Sequence, residues 1–85
     1  MGTLSVRLDP DLERRLKFLI DARKIGNKSA YVRELIRRAL SADMLDYVTD
    51  MVRQGSMTTW RAAELAELPL QAMLHELVDR GIKVY

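Results

Sequence analysis

The chain of 85 residues is 48% hydrophobic, carries a formal net charge of +2 and contains no cysteine. This length supports one small domain or two very small lobes with a marginal hydrophobic core. The lack of cysteine excludes disulfide bonds and thiolate metal sites. No apolar run approaches the roughly 20 residues that a membrane helix needs, so we expect a cytoplasmic protein without membrane contact.

The charge is distributed unevenly along the chain. Residues 1–42 contain ten basic and five acidic residues, a net charge of +5, whereas residues 43–85 contain four basic and seven acidic residues, a net charge of −3. A basic half favours a polyanion such as DNA, which would repel the acidic half. The sequence therefore predicts two domains, 1–42 and 43–85, with different partners. The alternative is that the basic residues only solvate two helices.

The first predicted element is a short β-strand. Three apolar residues alternate with three polar ones near the N-terminus: Leu4, Val6 and Leu8 with Thr3, Ser5 and Arg7. Alternation with a period of two is typical of a strand with one buried face. Because a helix starts at Asp9 and Pro10, the strand has no partner nearby in the sequence, and we expect it to pair with the same strand of a second copy. A sheet with residues 82–85 of the same chain is the alternative.

Two amphipathic helices follow. Apolar residues recur at helical spacing from Leu12 to Ile20, which predicts a helix over residues 10–24 with Asp9 as its N-cap. Gly26 is expected to take the left-handed conformation that ends this helix, and Asn27 to cap the next one. The second helix is predicted over residues 28–40, with these residues on its inner face: Tyr31, Val32, Leu35, Ile36, Ala39 and Leu40.

Residues 3–40 together resemble a ribbon-helix-helix domain of the MetJ, Arc and CopG type. The resemblance is carried by the ribbon LSVRLDP, the helix DLERRLKFLIDARK, the turn IGNKSAYV and the helix YVRELIRRAL. It implies a mainly α fold with one N-terminal β-strand, in which two copies form an intermolecular two-stranded antiparallel ribbon. The outward face of that ribbon would lie in the major groove of double-stranded DNA.

The resemblance also implies which residues contact DNA. It implies that Thr3, Ser5 and Arg7 contact bases. Arginine, serine and threonine side chains can form hydrogen bonds with base edges. Phosphate contacts fall to the start of the second helix, where free N–H groups and a lysine make an anion site: Asn27, Lys28 and Ser29. The alternatives are that the first set only faces solvent and that the second is an ordinary helix cap.

The second half is predicted to be helical after a break or bend around Ser41 and Asp43. A helical stripe ends near Gly55 and comprises Met44, Leu45, Val48, Met51 and Val52. Thr58 is expected to cap a short helix over residues 60–67. Pro69 is expected to open a last helix, which Gly81 ends and residues 82–85 follow as an extended tail. The inner face of this last helix is predicted to be Leu70, Met73, Leu74, Leu77 and Val78.

The run GSMTTWRAAELAELPLQAMLHELVDRGIKVY is similar to a small antitoxin-like family found beside PIN-domain toxins. Its helical shape also resembles a degenerate helix-turn-helix, in which Glu67 stands at the turn position that usually carries Gly. The last helix exposes Glu76 and Asp79, which DNA phosphates would repel, together with Gln71 and His75. We therefore expect an oligomerisation or partner-binding lobe rather than a second DNA reader.

No motif in the chain predicts catalysis. The single histidine, His75, has no second histidine or cysteine with which to bind a metal, and no phosphate-binding loop or catalytic triad motif is present. Four methionines and Trp60 are better explained by core packing than by a cofactor site: Met44, Met51, Met57 and Met73. We expect no enzyme activity and no cofactor.

The sequence and the two resemblances predict a sequence-specific DNA-binding transcriptional regulator, a repressor of the autoregulating antitoxin type. It would act as a homodimer or a tetramer, and a PIN-type toxin would bind residues 43–85. The alternatives are a stand-alone regulator without a toxin and a protein-interaction module that inhibits a partner enzyme.

Overall fold

The computed structural model describes residues 2–83, which contain four helices. Their bounds are Pro10–Ala22 for α1, Lys28–Arg53 for α2, Thr59–Leu65 for α3 and Leu70–Asp79 for α4. Three of them, α1, α3 and α4, lie close to their predicted positions. None of the helices in the described residues is long and apolar enough to cross a membrane.

The predicted N-terminal strand is wrong. Residues 2–9 have no regular secondary structure, and Leu4 and Val6 are 86% and 69% exposed. The described part of the chain is all helical, so neither the β-strand nor a ribbon-helix-helix fold is present in it. Alternating apolar and polar residues give a strand one apolar face and one polar face. A strand also needs a neighbouring strand that pairs with its backbone N–H and C=O groups. Residues 2–83 offer no such neighbour, so the segment stays irregular.

The second helix is much longer than predicted. It runs without interruption through Ser41 and Asp43 to Arg53, so both the predicted end at Leu40 and the predicted bend are wrong. Serine and aspartate disfavour a helix interior by at most about 0.7 kcal/mol each relative to alanine. Such a small penalty does not stop a helix that is stabilised by packing further along the chain.

Side chains cap the starts of three helices as predicted. In each case a side-chain oxygen accepts a hydrogen bond from a backbone N–H three residues later, which satisfies a donor that lacks a helical partner. The pairs are Asp9 with Leu12 at 2.9 Å, Asn27 with Ala30 at 3.0 Å and Thr58 with Arg61 at 3.1 Å. Pro69 precedes α4, also as predicted.

Each described helix ends in a Schellman motif, in which one residue after the last turn is left-handed. The left-handed residues, with their φ angles, are Lys24 (53°), Gly55 (76°), Glu67 (57°) and Gly81 (71°). The N–H of the next residue then bonds back to the helix, for example Leu68 N–H to the carbonyl of Ala63 at 2.9 Å. Gly81 is confirmed as a helix stop, whereas the prediction for Gly26 is wrong because α1 ends earlier and Lys24 takes the left-handed conformation.

The chain divides into two compact units, Met1–Glu34 and Leu35–Tyr85. Within residues 2–34 of the first unit, Ile20 is the only buried residue. Leu12 and Leu19, predicted on the apolar face of α1, are 45% and 39% exposed, and Phe18 is 61% exposed. The first unit therefore buries little apolar surface of its own. The functional division into domains 1–42 and 43–85 stays a prediction.

The second unit has a well-defined core, in which α3 and α4 pack against each other. Its buried residues come from α2, α3, α4 and the segment after α4: Val48, Ala62, Ala63, Met73, Leu77 and Ile82. The two small alanines allow α3 to approach its neighbours closely, and Met73 is the largest fully buried side chain of this core. Ile82 belongs to the predicted extended tail, whose last two residues lie outside the described part of the chain.

Several residues predicted on inner faces are instead exposed in the second unit. Val78 is 66% exposed, so the inner face of α4 is narrower than predicted. On α2, Ile36, Leu40 and Met44 are 52%, 63% and 41% exposed. The helical spacing identified a real apolar face on α2, but no element of the second unit covers its N-terminal part.

Candidate nucleic-acid interface

The residues predicted to contact bases lie in the irregular segment before α1. Thr3, Ser5 and Arg7 are all exposed, whereas the neighbouring Leu8 is half-buried. Exposure leaves the hydroxyl and guanidinium groups free to meet a ligand. Because no strand forms there, the backbone does not align the three side chains on one face, as the sequence predicted it would.

The residues predicted to contact phosphate lie together at the start of α2. The Asn27 side chain accepts the Ala30 N–H at 3.0 Å, and its backbone carbonyl accepts the Tyr31 N–H at 3.1 Å. Asn27 is therefore a helix cap, and its side-chain oxygen is already occupied. Lys28 and Ser29 have first-turn N–H groups, which lack acceptors within a helix.

The electrostatics of this helix start favour an anion. The first turn of α2 contains no acidic residue, and the helix dipole places a partial positive charge at this end. The exposed Lys28 adds a full positive charge. Two backbone N–H groups and one ammonium group can together bind a phosphate oxygen, so capping by Asn27 and anion binding by Lys28 and Ser29 are compatible.

The helix α1 carries further cations on its surface. Arg14 and Arg15 contact the Asp11 carboxylate at 3.2 and 3.7 Å, with side chains that are 75% and 73% exposed. Ion pairs at such exposure contribute about 0–1 kcal/mol, so either arginine can exchange the carboxylate for a phosphate at little expense. The pairs orient the guanidinium groups without withdrawing them from solvent.

The cations of residues 2–34 form a consistently exposed set. Eight basic residues stand against five acidic ones in this range, and all eight are exposed: Arg7, Arg14, Arg15, Lys17, Arg23, Lys24, Lys28 and Arg33. The structure places the predicted base contacts and the predicted phosphate contacts in two separate segments of this range. What the two sets share is positive charge in contact with solvent.

Three of the four cations of residues 43–85 also contact carboxylates. Arg53 lies 3.0 Å from Asp50, and Arg61 lies 2.6 Å from Glu64. On α4, Gln71, His75 and Asp79 are exposed as the sequence predicted, whereas the predicted exposure of Glu76 is wrong because Glu76 is half-buried and contacts Arg80. With four basic residues against seven acidic ones, this half presents few cations to a phosphate backbone.

Arg80 is the most constrained of these cations. Its guanidinium group lies 2.9 Å from the Asp46 carboxylate on α2, donates to the Thr49 hydroxyl at 3.1 Å and contacts Glu76 at 3.5 Å. The hydrogen bond with Asp46 is the main cause that raises the pKa of Arg80 above its ordinary value. Thr49 is 1% exposed and also donates to the Leu45 carbonyl at 2.8 Å. Arg80 therefore connects the end of α4 to α2.

The sequence prediction missed one surface feature, the position of Trp60. It was expected in the core, but its side chain is 72% exposed, and of the methionines grouped with it only Met73 is fully buried. The buried face of α3 is defined by Ala62 and Ala63, and at 100° per residue Trp60 lies about 110° from the centre of that face. The alanine spacing was the signal that could have located it.

No group of three or more His, Cys, Asp or Glu residues within the described range could hold a metal ion. Comparisons of the chain with protein-family models, with curated proteins and with solved structures found no match.

Proposed function

We propose that the protein is a DNA-binding transcriptional regulator, a repressor that acts in the cytoplasm as a homodimer. The observation that carries the proposal is the set of eight exposed cations in residues 2–34, against five acidic residues. Contacts between cations and phosphates supply most of the non-specific affinity for DNA and position a protein on the duplex. A dimer doubles the number of these contacts.

Two groups of residues contact different parts of the DNA. Lys28 and Ser29, at the start of α2, bind a backbone phosphate through the lysine ammonium and the free N–H groups of the first turn. The irregular segment that contains Thr3, Ser5 and Arg7 reaches base edges, where Arg7 can pair with the O6 and N7 atoms of guanine. The exposure of all three side chains supports this role.

Exposed apolar surface on α2 supports the homodimer. Four side chains follow one another at spacings of four, four and three residues, which places them on one helix face: Ile36, Leu40, Met44 and Tyr47. They are 41–63% exposed, and a continuous apolar stripe of this kind is typical of an interface. A symmetric dimer would bury the same stripe of both copies against each other.

Residues 43–85 then bind a partner protein rather than DNA. Their net charge of −3 opposes approach to phosphates. If the protein is an antitoxin, the partner is a PIN-type toxin. If it is a stand-alone regulator, the same surface extends the dimer to a tetramer.

Selection from a pool of random DNA duplexes tests the proposal. The full chain should enrich a defined sequence, and its affinity for that sequence should fall steeply with salt concentration. Arg7→Ala should weaken the selected site by about 1–3 kcal/mol and relax the base preference at one position. Lys28→Ala should weaken all duplexes alike and reduce the slope of log K against log salt by about one.

Arg61→Ala is the matched control, since it removes an exposed arginine of the second half and should leave both the selected sequence and the salt slope unchanged. If the pool yields no defined sequence, the exposed cations provide only general attraction. If neither Arg7→Ala nor Lys28→Ala has any effect, the protein-interaction module replaces the DNA-binding regulator as the better explanation.

A further inference from the structure

An open groove of about 970 Å³ lies in the second unit, beside the ends of α2 and α4 and the start of α3. Its apolar lining comes from five residues that are buried or half-buried: Val52, Met57, Leu70, Leu74 and Ile82. Trp60 also lines the groove and is 72% exposed. We call this feature the Trp60 groove. Its volume is within the range of sites that enclose a ligand of several side chains.

The charge of the Trp60 groove is opposite to that of its surroundings. The charged residues among the described lining are Arg53 and Lys83, and Arg53 also lies 3.0 Å from the Asp50 carboxylate in an exposed, exchangeable ion pair. The remaining residues of the range 43–85 include only two basic residues against seven acidic ones. The described lining is therefore basic and partly apolar, on an otherwise acidic half of the chain.

We propose that the Trp60 groove binds an extended acidic segment of a partner protein, with an apolar side chain of that segment seated against Met57, Leu70 and Leu74. Trp60 covers the seated side chain, since exposed tryptophans that become buried often dominate the energy of an interface. Arg53 and Lys83 attract the acidic residues on either side and fix the position of the segment.

The lining favours a peptide over a nucleic acid. Binding of single strands relies on several aromatic side chains on which successive bases stack, within a groove that attracts phosphates along its whole length. Among its described lining residues the Trp60 groove has one aromatic residue beside aliphatic side chains, so it offers no row of rings on which successive bases could stack. This inference identifies the contact surface for the partner-binding part of the proposed function and rests on that part alone.

The probe is a phage library of random octapeptides, selected on the immobilised full chain. We expect the enriched peptides to combine aspartate or glutamate with one large apolar residue. Synthetic copies should bind the chain in solution and shift the emission of Trp60 to shorter wavelength, because binding removes water from the indole. Trp60 is the only tryptophan in the sequence, so this signal has a single origin.

A matched pair of charge reversals tests the position of the site. Lys83→Glu should weaken the enriched peptides at least fivefold, whereas Arg61→Glu, the same reversal at an exposed residue that does not line the groove, should weaken them less than twofold. Trp60→Ala, followed by peptide anisotropy, should weaken binding at least tenfold. Circular dichroism checks that each variant is folded.

DNA affinity, measured on the same variants, separates the two proposals. Trp60→Ala should leave affinity for the selected duplex unchanged, and the two charge reversals should lower it equally because they change the net charge equally. The inference is overturned if the library yields no enriched peptides, if these are basic, if they bind the Trp60→Ala variant normally, or if a dT oligonucleotide produces the same Trp60 shift and competes with them.

Discussion

Glu67, the left-handed residue after α3, allows the cost of backbone strain to be measured. Glu67 has a φ of 57°, a conformation that is unfavourable by about 1–2 kcal/mol for residues with a Cβ atom. Replacement by glycine removes this strain but increases the freedom of the unfolded chain, which offsets about 0.5–1 kcal/mol of the gain. We therefore expect Glu67→Gly to raise the free energy of unfolding by about 0.5–1 kcal/mol, measured by urea denaturation.

Two controls isolate the cause. Glu67→Ala removes the charge and keeps the strain, so its stability should remain close to that of the unchanged chain. Gly55 occupies the same position after α2 with a φ of 76°, and a Cβ atom added there would meet nothing within 4 Å. In Gly55→Ala the added Cβ atom strains the backbone by about 1–2 kcal/mol, and the reduced freedom of the unfolded chain offsets about 0.5–1 kcal/mol of this loss. The variant should therefore be less stable than the unchanged chain by about 0.5–1 kcal/mol. In a domain of this size, 1 kcal/mol corresponds to roughly 4–8 °C in Tm.

The reasoning is refuted if Glu67→Gly is as stable as the unchanged chain or less stable while Gly55→Ala is destabilised. That result would mean that the Glu67 side chain makes a contribution as large as its backbone strain. If Glu67→Ala alone is stabilised, the charge near the end of α3 is responsible, since an acidic residue there interacts unfavourably with the helix dipole.

Three further predictions concern α2. Asn27→Ala should lower the free energy of unfolding by about 0.5–2 kcal/mol through loss of the cap, measured by urea denaturation, whereas Lys28→Ala should leave it unchanged. Leu40→Lys should shift the sedimentation of the chain from dimer to monomer, and an unchanged dimer would exclude the α2 stripe as its interface. Asp46→Asn should lower the free energy of unfolding by about 0.2–1 kcal/mol because Arg80 loses an exposed charged partner. In 1 M salt the two chains should unfold with the same free energy, because salt screens the ion pair.

The parts of the fold that the sequence predicted correctly depend on neighbouring residues. The caps at Asp9, Asn27 and Thr58 each bond a backbone group three residues away, so a short stretch of sequence contains both partners. Gly81 ends α4 for the same reason, since its left-handed conformation satisfies carbonyl groups of the preceding turn. The helix starts and several helix ends could therefore be predicted from short stretches of the sequence.

The errors arose where the outcome depends on distant residues or on small energy differences. Pairing of residues 4–8 as a strand requires a second strand, and a pattern of alternating side chains contains no information about whether one exists. Ser41 and Asp43 have helix propensities only slightly below average, so their effect on α2 depends on packing near Val48. Lys24 adopts a conformation that glycine favours, and the nearby Gly26 does not.

The candidate site was predictable in its charge and not in its geometry. Counting residues located the cations in the first half, and the structure places those of residues 2–34 in solvent, but the helix start with Lys28 and the segment with Arg7 stay separate. The first unit buries only Ile20 within residues 2–34, so its own packing provides little of the rigidity that base recognition requires. Under the proposed function, a second copy or DNA itself supplies the missing contacts. The order of these events is measurable: if the dimer forms without DNA, hydrogen exchange in α1 should slow as chain concentration rises, and if DNA orders the unit, exchange should slow only when duplex is added.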